Sequence, residues 1–83
     1  MIKPQVELIL RTAQTDTGGA AVCRQFLLSL WDGGTYQCDL QALLYQDNAH
    51  FDACRVILTH LYTNNDQLES FITQEQIDTI RPL

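Results

Sequence analysis

Apolar residues in this chain recur at three- and four-residue intervals, in segments cut short by glycine, asparagine and aspartate. Val6, Ile9, Leu10 and Ala13 form one such row. Val22, Phe26 and Leu30 form a second, with Cys23, Leu27 and Trp31 beside it. That spacing gathers side chains on one face of a helix, whereas a strand needs strict alternation. No segment alternates convincingly. The pattern predicts an all-α fold, a compact bundle of four to five short helices, with residues 1–83 as a single domain.

The helix boundaries follow from caps and breakers. Pro4 suits a first turn, where its missing N–H leaves no bond unmade, and the first helix is expected over roughly 4–14. Thr15 to Gly19 breaks it, and Asp16 or Thr17 is expected to cap the next helix. That second helix, about 18–31, carries the widest apolar stripe and is expected at the centre of the core. Arg24 and Gln25 mark its wet side, and Asp32-Gly33-Gly34 ends it. Thr35 to Cys38 reads as an extended link, because a lone short strand is not stable.

Asp39 and Asp47 each precede an apolar run and read as N-caps. The first opens a brief helix with Leu40, Leu43 and Leu44 as its buried side. The second opens a helix of about 48–62, lined by Phe51, Cys54, Leu58 and Leu61 with Ile57 between them. Asp66 with Glu69, and Thr73 with Gln76, have capping-box spacing. The arrangement of residues 63–83 is otherwise left open.

Net charge is −5 and unevenly placed. Residues 1–31 hold three basic and two acidic side chains, whereas residues 32–83 hold two basic and eight acidic. No basic run is present to neutralise phosphates, which argues against direct nucleic-acid binding. No apolar run approaches the ~20 residues of a membrane span, and residues 1–5 lack the apolar stretch of a signal peptide. Three cysteines without framework spacing suggest reduced thiols and a cytoplasmic location.

Candidate chemistry is sparse. His50 and Cys54 stand four residues apart and, with Cys38, form the basis of a thiol- or metal-dependent reading. No Cys-x-x-Cys or paired-histidine motif supports it, so no catalytic, cofactor or metal residue is assigned, and no enzyme or small-molecule substrate is expected. Both glycine pairs lack the further glycine or lysine of a phosphate loop. Trp31, Tyr36, Tyr45 and Tyr62 are amphipathic aromatics of the kind found at interfaces. Trp31 and Tyr36 flank a turn and are the interface residues the sequence favours.

These motifs fall in an order: Asp16-Thr17-Gly18, then Phe26-Leu27-Leu28 with Trp31-Asp32, then Asp39-Leu40 and Asp47. Over roughly residues 5–62 the pattern resembles a family of short uncharacterised proteobacterial proteins often encoded on plasmids, integrative elements and prophages. Asp32 departs from the Asn common there, and Cys38 from a Phe. The resemblance implies a cytoplasmic accessory protein and brings no assigned activity. The resulting expectation is protein binding or self-association through an aromatic and acidic surface. The alternatives are the thiol or metal protein and an acidic mimic inhibiting a nucleic-acid-binding protein.

Overall fold

A computed structural model describes residues 1–82. Among them are five α-helices: α1 (Lys3–Ala13), α2 (Ala20–Trp31), α3 (Leu40–Leu43), α4 (Asn48–Asn64) and α5 (Gln74–Asp78), with a 3-10 turn at Leu68–Ser70. No strand occurs among the described residues, and Thr35–Cys38 runs as irregular chain. The all-α expectation holds.

Helix α1 is the hub, packing against both α2 and α4. Its row Val6, Ile9, Leu10 and Ala13 is buried, and Ile2 ahead of it is buried too. Cys23, Phe26, Leu27 and Leu28 come in from α2, and Ala53, Cys54 and Ile57 from α4. Leu68, Ile72, Ile77 and Ile80 close the same cluster from the C-terminal segment. The capping box at Thr73 and Gln76 forms in full and aims Ile77 inward.

Several local expectations are corrected. Neither Asp16 nor Thr17 caps α2: Gly19 is the N-cap residue and no side chain serves it. The linker is instead held by Arg24, whose guanidinium donates to the Ala13 carbonyl at 3.0 Å and the Thr15 carbonyl at 3.4 Å. Arg24 is therefore half-buried and ties α2 to the end of α1, where terminal carbonyls lack helical partners. Gln25 also faces structure, its Oε1 accepting from the Asp39 N–H at 3.2 Å. The short helical turn expected from Asp66 through Phe71 forms as the 3-10 turn, but its N-cap residue is Gln67 and not Asp66. Asp66 accepts from the Gln67 N–H and the Ser70 hydroxyl, both at 2.8 Å, and so shapes the 3-10 turn. Ahead of it Asn65 takes a left-handed φ of 51°. The Asp66 N–H then bonds back to the Leu61 carbonyl at 3.0 Å, a closure of the Schellman type.

The main correction concerns which side chains are buried. Only Leu43 of α3 faces the core; Leu40 and Leu44 are each 69 % exposed. In α4, Phe51 and Leu58 turn outward at 38 % and 42 % exposure, and Tyr62 is 89 % exposed. Small residues, Ala53 and Cys54, face inward on the side of the helix that receives α1. They permit close approach beside the buried Ile57, and Phe51 and Leu58 are left outside.

Candidate functional site

Three features outside the ordinary core packing carry chemistry. The first begins at the N-terminus of α4. Asp47 caps the helix, its Oδ1 accepting from the His50 N–H at 2.8 Å. The same oxygen lies 2.8 Å from His50 Nδ1, and His50 Nε2 lies 2.7 Å from Thr12 Oγ1 on α1. With Nδ1 protonated, the imidazole donates to Asp47 and accepts from the Thr12 hydroxyl. Aspartate, imidazole and hydroxyl in series have the connectivity of an acid–base relay. The shallow cleft beside it is lined by Asp47, Gly18, Gly19, Val22, Ala42, Tyr45 and Gln46, not by His50 or Thr12. The chain of bonds thus serves as a strut from α4 to α1, and His50 is half-buried rather than an open first-turn residue.

The His50 backbone N–H, and next its imidazole, hold the Asp47 carboxyl below the usual aspartate range. A depressed folded pKa stabilises the fold above the unfolded pKa and loses that contribution as pH falls through the folded value. Stability is therefore expected to decline as pH drops below about 4. Asp66, lowered chiefly by the Ser70 hydroxyl, adds to the same limb. Asp47→Asn keeps a capping side chain and should flatten the acid limb in chemical denaturation. An acid limb as steep as the wild type's would remove Asp47 from the account.

The second feature is the thiols. All three are free; Cys23 and Cys54 are buried and Cys38 is half-buried. Burial pushes Cys23 up to about 11, with Asp47 adding to the rise and Arg24 opposing it, and pushes Cys54 up to about 12, with the neighbouring Cys23 and Cys38 thiols adding to it. Cys38 is also raised, first by burial and then by Asp39. These are unreactive thiols by the usual criterion, which requires a stabilised thiolate. Among the described residues no three His, Cys, Asp or Glu side chains stand together as a metal site. Cys38, Cys54 and His50 are thus not gathered into one, and both ring nitrogens of His50 already have partners.

The third feature is apolar surface. Trp31 and Tyr36 pack on each other with ring centroids 6.1 Å apart, tilted by 35°, and both lean on the core. Tyr36 also borders a shallow cleft with Arg24, Gln25, Leu28 and Ile80. Both are half-buried. The strongly exposed large side chains lie elsewhere: Leu40, Leu44 and Tyr45 around α3, and Phe51, Leu58 and Tyr62 along α4. Helical periodicity assigns four of these six, Leu40, Leu44, Phe51 and Leu58, to the core, and the structure exposes them. Tyr45 and Tyr62 are two of the four interface-type aromatics of the sequence, and they are more exposed than Trp31 and Tyr36.

Fold and surface together define a small helical domain with one hydrophobic core and two groups of exposed apolar side chains, one around α3 and one along α4. Residues 3–80 match the model of a family of unknown function, DUF7673, and the chain belongs to that family. No curated protein and no solved structure matches it. No helix among the described residues is long and apolar enough to cross a membrane.

Proposed function

We propose that this chain is a small cytoplasmic accessory protein, of the kind carried by mobile genetic elements, and that it works by binding another protein chain. Its binding surface is the outer face of α3 and α4. The observation that carries the reading is the exposure of Tyr45 at 80 % and Tyr62 at 89 %, with Leu40 and Leu44 each at 69 %. Scattered single apolar residues on a surface are ordinary, but a group of this size on one stretch of chain is the usual mark of an interface. Tyrosine suits that role, with an apolar body and a polar tip. The free thiols support the cytoplasmic placement. The ordered motifs from Asp16-Thr17-Gly18 to Asp47 support the mobile-element context.

A photo-crosslinking residue placed at Tyr45 or Tyr62 should form adducts with a protein in the native host. The same residue at Glu75, exposed on α5, should form few. Equal yields at all three positions, or none at the two tyrosines, would overturn the reading.

A further inference from the structure

We infer that residues 37–46 form a strap that opens as a unit while α1, α2 and α4 stay folded, and that this opening controls access to the Cys23 thiol. The inference goes beyond the protein-binding reading and does not depend on it. The strap is fixed at its two ends. At one, Tyr36 packs on Trp31 and its N–H donates to the Asp32 carbonyl at 3.0 Å. At the other, Asp47 caps α4. Between them little holds the chain down. Leu43 is the one buried residue, and Cys38, Ala42 and Gln46 are half-buried. Among the described residues, the one hydrogen bond from the strap to another element runs from the Asp39 N–H to Gln25 Oε1, at 3.2 Å. No ion pair among the described residues involves it.

The strap's other bonds close on itself. The Ala42 and Leu43 N–H groups donate to Asp39, and those of Leu44, Tyr45 and Gln46 donate to carbonyls within α3. A helix of four residues is not stable alone, because a first turn fixes several dihedrals for few bonds. Segments with few buried apolar contacts and exposed hydrogen bonds open at lower free energy than the whole fold. Lifting this one uncovers Leu43, whereas unfolding the frame must also expose Ile9, Leu27 and Ile57, all 0 % exposed.

Beneath the strap lies the N-terminal half of α2. A Cβ on Gly19 would stand 3.0 Å from Gln46 Oε1. Val22 shares a cleft with Ala42 and Tyr45, and Gln25 holds Asp39. Gly19, Val22 and Gln25 step along the helix three residues at a time, so the strap follows that length. Cys23 sits within it, 1 % exposed. Leu43 belongs to the same apolar cluster, and Cys38 packs against it. Raising the strap therefore uncovers the Cys23 thiol without disturbing the buried row of α1.

Native-state amide exchange and thiol labelling, both read by peptide mass, test the strap. The amides of residues 43–46 should exchange about tenfold or more faster than the core amides of α1, α2 and α4, after correction for intrinsic rates. Gln25→Ala removes the tether and should speed labelling of Cys23 by about two- to tenfold. Ile9→Val weakens the frame instead. It should lower the melting temperature and leave Cys23 labelling at the wild-type rate. Leu43→Ala should speed the labelling by about tenfold or more. Should that variant lose its helical circular dichroism, Gln25→Ala still decides. Amides of residues 43–46 that exchange in step with those of α2 and α4 would overturn the inference. So would a Gln25→Ala chain labelled no faster than wild type, or Ile9→Val speeding Cys23 labelling as much as Gln25→Ala does.

Discussion

Ile57→Ala is expected to lower the melting temperature by 10 °C or more, at roughly 4–8 °C per kcal/mol for a chain of this size. Ile57 is 0 % exposed and sits on the inner face of α4, the face that meets α1. Truncating such a residue removes its transfer energy and leaves a cavity, about 2–5 kcal/mol in all. A chain of 83 residues has a total stability of only about 4–12 kcal/mol. The neighbouring change Leu58→Ala, measured at dilution, should cost less than about 1 kcal/mol because that side chain faces solvent. Thermal melts of the two variants report directly on which way α4 faces. A larger loss from Leu58→Ala than from Ile57→Ala would mean the helix is rotated.

Alkaline pH should unfold the protein through its thiols. Cys23 and Cys54 are raised to about 11 and about 12, principally by burial, from an ordinary value of 9.0. In the unfolded chain both ionise near that ordinary value. Their contribution is therefore complete below about pH 9 and is lost as pH rises. Each thiol costs about 1.4 kcal/mol per pH unit in that window, so the pair removes on the order of 5 kcal/mol between pH 9 and pH 11. That is a large share of the total. Denaturant titrations across this range should show the slope, and Cys23→Ala/Cys54→Ala should lose it while starting from a lower stability. A double variant with the wild-type slope would show that other groups drive the alkaline transition. In the same folded state a thiol reagent should reach Cys38 well before Cys23 or Cys54.

The parts of this fold legible in the sequence are the local ones. Asp39, Asp47 and Thr73 are N-caps because their oxygens reach backbone N–H groups within three residues, and short range of that kind is visible in one dimension. The row of α1 is equally plain; of the two rows in α2 only Cys23, Phe26 and Leu27 are buried, Leu28 joins them, and Val22, Leu30 and Trp31 are half-buried. Helix α4 has two apolar sides. Phe51 and Leu58 are as apolar as Cys54 and Ile57, and periodicity alone does not say which pair faces α1. The decision is made by size: Ala53 and Cys54 let α1 come close. Contacts reaching across the chain were also hidden. Nothing in the spacing of Arg24 announces the Ala13 carbonyl. The His50 bond to Thr12 spans 38 residues, although its partner Asp47 was already marked as a cap. Trp31 is a large side chain beside a turn, which favours an interface in one dimension, but Tyr36 and the core take up much of its surface.

The three tyrosines report on the central claim, that the outer face of α3 and α4 is the surface through which this protein works. Tyr36 is half-buried, Tyr45 is 80 % exposed and Tyr62 is 89 % exposed. Nitration followed by mass spectrometry, on dilute protein and again on the assembled or partner-bound form, reads all three at once. Dilute protein should be modified quickly at Tyr45 and Tyr62 and slowly at Tyr36. Assembly should then protect Tyr62, with partial protection of Tyr45 and no change at Tyr36. Protection that appears at Tyr36 while Tyr62 stays open would contradict the account and move the interface to the Trp31–Tyr36 side of the molecule.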